Sequence, residues 1–325
     1  MLKYQFKKTV NHYTKQGIPF LFIVDFDIKN PQVYRLDELD DKNIFFALAE
    51  ASYLPNHHFF KVDLTFKKLF INQETYKKAF KTVKEQIQKG NSYLLNLTFK
   101  NKIVFDDNKV NLLHIFDQTK AKYKLFYKDK FVCFSPETFI KIENNRIKTF
   151  PMKGTIDAAI KNAAQKLLND VKESREHNTI VDLLRNDLAI VATDIKVERF
   201  KYLEKISTQK GEILQMSSEI SGKLPNNWKN NFGDIILKLL PAGSVTGAPK
   251  PKTVEIIKNV ENYQRKFYTG IFGVFDGENV DSGVLIRFIE KEGDDFYYKS
   301  GGGITYLSEM KSEYKELLQK IYIPI

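Results

Sequence analysis

The stretch Phe131-Val132-Cys133-Phe134-Ser135-Pro136-Glu137-Thr138-Phe139-Ile140-Lys141-Ile142, with its continuation Arg146-Ile147-Lys148-Thr149-Phe150-Pro151-Met152-Lys153-Gly154-Thr155, decides how the rest of the chain is read. Runs rich in β-branched and aromatic residues at about 122–127, 131–134, 138–142 and 146–150 predict four strands. Asp129-Lys130 and Glu143-Asn144-Asn145 supply turn residues between them, so the strands form a meander. Pairing Ile142 with Arg146 sets Glu137 opposite Pro151 and leaves Lys153 just beyond the open end of the hairpin. At roughly 3.3 Å per residue, the carboxyl and the amine start within about 7 Å of each other along the strand direction.

Such a pair is either a surface salt bridge at a hairpin end or the start of a site. Pro151 fixes the backbone beside Lys153, Gly154 permits close approach of a ligand, and Thr155 adds a donor. A lysine kept neutral is a covalent nucleophile, and a glutamate whose pKa is raised by burial is a general acid. Adjacent opposite charges oppose both shifts. The expectation is therefore a Glu137–Lys153 salt bridge in the empty site, broken or reduced to a shared proton when substrate enters.

With 325 residues, 42% of them hydrophobic, the chain can bury a sizeable core as one large domain or two packed layers. Its formal charge of +11 is spread along the sequence rather than clustered with aromatics. That pattern gives little support to nucleic-acid binding and suits a small anionic substrate. The single cysteine, Cys133, excludes an internal disulfide and a thiolate metal cluster, and its place in an apparent strand reads as core. No apolar run approaches the roughly 18 residues of a membrane span, and no signal-peptide core follows Met1 to Lys8. The cytoplasm is the natural compartment.

Along the chain, 20–26 predicts a strand, and 44–51 is an apolar segment. Tyr76, Phe80, Val83 and Ile87 space a helix over 74–89 that stops at Gly90-Asn91. In the strand over 93–99, Asn96 and Thr98 share a face, either lining a pocket or forming a satisfied polar pair. Helices are expected over 158–168 and 172–188. The second crowds Glu173, Glu176, His177 and Asp182 around a thin stripe of Ile180, Leu183 and Leu184. In the helix expected over 312–325, Glu313, Glu316 and Lys320 share one face. Carboxylates from two helices meeting over a pocket suit magnesium, which takes few protein oxygens. Spacing alone does not bring them together.

The loop 241–250 leads into a helix expected over 251–267 and reads as an anion site at a helix N-terminus or as a plain turn. It is not a nucleotide P-loop, since no Ser or Thr follows Lys250. Arg287, in a strand expected over 284–288, needs an anionic partner, and a ligand carboxylate fits it. Gly301-Gly302-Gly303 either bares backbone to a ligand or bends flexibly.

Taken together, the set resembles the chorismate-utilising enzymes. Asn96-Leu97-Thr98, Ser135-Pro136-Glu137, Lys153-Gly154-Thr155, Glu176-His177 with 181–188, Gly243 to Lys250, Tyr268 with Gly270 and Gly273, Ile286-Arg287, and Gly301 to Glu316 occur in that family's order, over about residues 73–323. The family includes anthranilate synthase component I, aminodeoxychorismate synthase component I, isochorismate synthase and salicylate synthase. The resemblance implies an α/β (α+β) sandwich of large, mainly antiparallel sheets with helices outside. It also implies a catalytic domain over 73–325, with a short N-terminal portion, 1–72, packed on it.

By resemblance, Glu176 and Glu316 are the magnesium ligands, with Glu173 and Glu313 as acidic neighbours. Tyr268, Arg287 and Gly301, Gly302 and Gly303 hold the substrate's carboxylates, with Gly154, Thr155, Gln215, Thr246 and Lys320 as further contacts. Glu137 matches the general acid that protonates the departing 4-hydroxyl of chorismate. Lys153 matches a lysine found in many aminodeoxychorismate synthases, where anthranilate synthases usually carry alanine. It would add to ring carbon 2, and ammonia would then add at carbon 4, giving 4-amino-4-deoxychorismate for p-aminobenzoate and folate. The runner-up is anthranilate synthesis. Leu94 and Gln215 depart from the glutamine and histidine usual at those positions. The short N-terminal region implies no feedback inhibition by tryptophan. Cys133 lacks a glutaminase nucleophile's context, so ammonia would come from a separate glutamine amidotransferase subunit or from solution.

Overall fold

A computed structural model describes residues 1–49, 51–56, 60–208 and 211–325. The described residues form two nine-stranded sheets, and every described pairing is antiparallel. The first sheet runs Met152–Asp157, Gly211–Lys223, Arg146–Thr149, Thr138–Glu143, Val280–Val284, Ile271–Phe275, Phe20–Val24, Gln32–Arg35, with Thr193–Thr208 also paired to Gly211–Lys223. The second runs Gly247–Ala248, Leu94–Phe105, Asp295–Thr305, Phe288–Glu292, Phe131–Ser135, Tyr123–Tyr127, Ile44–Ala47, Ser52–Tyr53, with Phe66–Leu69 also paired to Leu94–Phe105. Strands from before residue 73 thus complete both sheets.

Period-two alternation explains the layering. In Phe20–Val24, Phe20, Phe22 and Val24 enter the cluster beneath the helices Lys3–Gln16 and Phe232–Leu239. Leu21 and Ile23 point the other way, into an inter-sheet core with Tyr123, Cys133, Phe272 and Phe288. Gln73–Gln88, Lys250–Val260 and Met310–Gln319 cover the second sheet through Tyr76, Phe80, Ile256 and Leu317. Asn72 caps the first of these by accepting from the Glu74 amide. No described helix is long and apolar enough to cross a membrane.

The meander expected over 122–150 is split between the sheets. Phe131–Ser135 belongs to the second and Thr138–Glu143 to the first, so Pro136-Glu137 is the crossing. The second turn is also tighter than expected. Asn144 and Asn145 both have positive φ (51° and 59°) and form a two-residue hairpin loop, so Arg146 faces Glu143 and Ile147 faces Ile142. The strand stops at Thr149, and Met152–Asp157 continues along the same neighbour, Gly211–Lys223, with a register shift that sets Thr155 opposite Gln215. Glu137 is therefore not opposite Pro151.

Other bounds shift for local reasons. Asn162 sits at φ 58°, so the helix expected from residue 158 starts at Ala163. The helix expected to reach 267 stops at Val260, because Glu261 turns extended. The strand expected over 284–288 is broken, with Arg287 at φ 52°. Gly301 to Gly303 are interior to Asp295–Thr305 and do not bend. The helix expected over 312–325 is Met310–Gln319. Of the segment 44–51, Ile44–Ala47 is a strand, and residue 50 lies outside the described residues.

The turn at Glu261 makes a buried clasp. Arg265 donates to Glu261 through Nε (2.8 Å) and Nη2 (2.6 Å), with side chains 2% and 1% exposed. The same guanidinium reaches Asn96 O (2.6 Å) and Val245 O (2.9 Å), while Glu261 accepts from the Thr98 amide and hydroxyl. Removing one partner of such a pair strands a buried charge, at a cost of about 3–5 kcal/mol. Arg265→Leu is expected to lose that much in urea unfolding, and a loss below about 1 kcal/mol would show that the clasp is not structural.

Candidate active site

A cavity of about 570 Å³ opens where the sheets part. Each wall brings its own chemistry. The crossing brings Glu137, the edge strand Met152–Asp157 brings Lys153 with Gly154 and Thr155, and the broken strand brings Arg287. The helix Val171–Ala189 brings Glu173 and Glu176, and the end of Met310–Gln319 brings Glu316 and Lys320. Asp170 caps the first helix through the Glu173 amide (2.9 Å), which fixes where its carboxylates begin.

Of the other residues singled out from sequence, Gln215, Tyr268, Gly301 and Gly303 also line the cavity. Thr246 lies behind its wall, buried, with its hydroxyl donating to Ala242 O (2.8 Å). Gly302 faces the helix instead, where an added Cβ would sit 3.8 Å from Glu313 Oε2 and Lys320 Nζ. Gly154 has φ 81°, and a Cβ there would meet Glu173 and Leu167 at 3.1 Å, so glycine is required. A Cβ on Gly303 would lie 3.3 Å from Lys153 Nζ, which shows how closely the lysine tip approaches bare strand.

The expected Glu137–Lys153 bridge is replaced by two other contacts. Lys153 Nζ donates to Glu176 Oε2 at 3.2 Å, on the neighbouring helix Val171–Ala189. Glu137 accepts a hydrogen bond from Ser244 Oγ. Burial pushes the Glu137 carboxyl above its ordinary value, and the opposing pull of Ser244, Lys153, Arg287 and Lys320 does not cancel it. Burial acts to lower Lys153, but Glu176, Glu316 and Glu173 outweigh it and hold the ammonium above its ordinary value. Lys320, 2.7 Å from Glu316 and donating to Gly301 O (3.1 Å), is lowered by burial, assisted by Lys153 and Arg287. Arg287 Nε is buried beside the cavity with no hydrogen-bond partner, so the guanidinium retains unused donor capacity.

The carboxylates of the two helices converge, with lysines between them. Lys172 Nζ lies 3.3 Å from Glu313 Oε1 and 3.8 Å from Glu176 Oε1. Burial and then the Glu176 charge raise Glu173. Burial acts to raise Glu316, but Lys320, Lys153 and Lys172 bring it below its ordinary value. Among the described residues, no three His, Cys, Asp or Glu side chains stand close enough to cage a metal ion. Leu94 forms an apolar wall with Ile180 and Leu183.

Two groups escaped the sequence reading. Ser244 was legible only as part of a small-residue loop, and no spacing links it to Glu137, 107 positions away. Lys172 marks only the start of the expected helix, and nothing local points it towards Glu313.

The sequence profile of the chorismate-binding enzymes matches residues 29–325. The chain belongs to that family. It is 49% identical over 323 residues to an uncharacterized PabA-like protein of Haemophilus influenzae, covering 98% of this chain and 96% of that one. Aminodeoxychorismate synthase component 1 of Salmonella typhimurium is 30% identical over 259 residues, covering 76% of this chain and 56% of the relative. The solved anthranilate synthase component I of Streptococcus pneumoniae superposes with a TM-score of 0.69 at 25% identity, over 81% of this chain and 60% of that one. Family and fold agree with the resemblance read from sequence.

The raised Glu137 predicts a pH-dependent penalty. Its neutral form suits the fold, so the stability it contributes is full below the ordinary glutamate value and is lost as pH rises through the raised one. Glu137→Gln is expected to be more stable than wild type at pH 8 by on the order of 1 kcal/mol, with the gain vanishing near pH 4. Parallel melting curves at the two pH values check this, and an equal or larger gain at pH 4 contradicts it.

Proposed function

We propose that the chain is an aminodeoxychorismate synthase component I, converting chorismate and ammonia to 4-amino-4-deoxychorismate. The observation that carries the reading is that Lys153 and Glu137, whose carboxyl burial pushes above its ordinary value, line one cavity with Arg287 and Lys320. In this reading Tyr268, Arg287 and the glycine strand hold the substrate's carboxylates, with Lys320 as a further contact beside Glu316. Lys153, once deprotonated, adds through Nζ to carbon 2. The two conjugated ring double bonds shift by one position each, the C4–O bond breaks, and Glu137 gives its proton to the departing oxygen, which leaves as water. Ammonia then adds at carbon 4, the double bonds shift back, and Lys153 leaves carbon 2. The ammonia comes from a separate glutamine amidotransferase subunit or from solution.

Glu176 and Glu316 are the residues we assign to magnesium. They are hard oxygen donors from two helices, and both are balanced in this structure by ammonium groups, so the cluster favours positive charge. Magnesium takes one or two protein carboxylates and fills its shell with water and substrate oxygens, so a three-residue cage is not needed. Bound there, the ion supplies charge neutralisation for a substrate carboxylate.

Anthranilate synthesis is the second reading. It is favoured by the ion pair to Glu176, which keeps Lys153 charged and hence without a nucleophilic lone pair. Product analysis by mass and fluorescence, with chorismate, magnesium and an ammonium salt, separates the two. Aminodeoxychorismate from wild type, falling about a hundredfold or more in Lys153→Ala and in Glu137→Gln, is the expected result. Anthranilate and pyruvate from wild type would overturn it in favour of the second reading.

A further inference from the structure

The turn Gly243–Val245 is held from three sides. The Gly243 amide donates to Asp187, whose carboxylate pairs with Lys250 at 2.8 Å. The Val245 carbonyl accepts from Arg265 Nη1 (2.9 Å) and from Asn96 Nδ2 (3.0 Å). The Thr246 hydroxyl donates to Ala242 O across the turn. Between these anchors, Ser244 has one proton to donate, and it goes to Glu137 Oε1. A turn that needed only to connect two elements would not require a doubly bonded carbonyl beside a residue aimed into the cavity.

We propose that Ser244 is a positioning residue for the general acid: it engages Oε1 of Glu137 so that the transferable proton sits on Oε2, and Asn96 and Arg265 aim it through the Val245 carbonyl. The assignment rests on the reading of Glu137 as a general acid. The chemistry follows from charge. When Glu137 passes the Oε2 proton to the departing oxygen, the carboxyl becomes a carboxylate in an enclosed site. A hydroxyl already directed at Oε1 bonds that anion more strongly than it bonded the acid, without reorganisation. The other groups facing Glu137 are Lys153 from the edge strand, Arg287 from the broken strand, Lys320 from the helix end, and Tyr268. The three cations also favour the anion, but in the proposed reaction each is committed to substrate, whereas Ser244 is not. Asn96 and Arg265 touch neither Glu137 nor the proton and act only through the turn.

The test reads Glu137 itself. Difference infrared spectroscopy of the substrate-free protein follows the carboxylic-acid band with pH, and Glu137→Gln identifies the band. Ser244→Ala is expected to raise the midpoint by about one unit, Ser244→Thr to restore it, and Asn96→Ala to raise it by less. Ser244→Cys, similar in shape and a poor donor, gives the same upward shift if the alanine variant does not fold. In the rate of chorismate loss, kcat of Ser244→Ala should fall roughly tenfold, with the limb assigned to Glu137 moving the same way. A midpoint unmoved in both Ser244→Ala and Ser244→Cys overturns the proposal, and so does a fall in kcat with no movement of the midpoint. Because the infrared titration needs no turnover, a wild type that leaves chorismate intact would count against the functional reading alone.

Discussion

The Glu261–Arg265 clasp is the interaction on which the geometry of the site depends. It is bidentate and almost fully buried, and it lies where three segments far apart in sequence must meet. Burying two charges is costly, and their attraction offsets that cost only when the remaining donors and acceptors are also satisfied. Here they are: Glu261 takes the Thr98 amide and hydroxyl, and Arg265 takes carbonyls at 96 and 245. Satisfaction of the clasp therefore fixes the strand Leu94–Phe105 against the turn Gly243–Val245. Neither segment can move without leaving a buried polar group unpaired.

Around the cavity the same rule acts on charges that are less fully matched. Carboxylates come from two helices and the crossing, and cations come from an edge strand, a broken strand and two helix ends. Lys172–Glu176 and Lys320–Glu316 are i,i+4 pairs on single helices, whereas Lys153–Glu176 and Lys172–Glu313 join different elements and form only in the assembled fold. The exceptions are informative. Glu137 is raised because its neighbours do not compensate for its enclosure, and Arg287 retains an unpaired buried N–H. One is an acid without a base and the other a donor without an acceptor. Both residues line the same cavity.

The parts legible in the sequence were those set by local rules. Tyr76, Phe80, Val83 and Ile87 marked a helix by period, and the runs around 131–142 marked strands by composition. Glu313 and Glu316 could be placed on one helical face but not against Glu176, because no local rule relates two helices. The hairpin was misread by one residue, since two consecutive asparagines at positive φ shorten the loop. The pairing of Lys153 with Glu176 depends on the neighbouring helix Val171–Ala189, which the hairpin's register does not reveal. The crossing at Pro136-Glu137 has no local signal either, because two strands adjacent in sequence, Phe131–Ser135 and Thr138–Glu143, belong to different sheets. Recognition of the family's motifs supplied what local rules lacked, since their order stands in for the tertiary contacts.

The charge on Lys153 is where the structure and the proposed chemistry must be reconciled. Burial acts to lower its pKa, but three carboxylates, Glu176, Glu316 and Glu173, outweigh it and raise the value. A dianionic substrate arriving alone would add negative charge and hold the proton more firmly, making the lysine a counter-ion. Positive charge taken up by Glu176 and Glu316 does the opposite, because it removes the cause of the rise and leaves burial, which favours the neutral amine. The helix carboxylates thus set the role of Lys153 through their own charge balance. Lys172 and Lys320 are already placed to share that balance, at 3.8 Å from Glu176 and 2.7 Å from Glu316. Whether the lysine binds or attacks is decided at the carboxylates, one residue removed from the reacting atom.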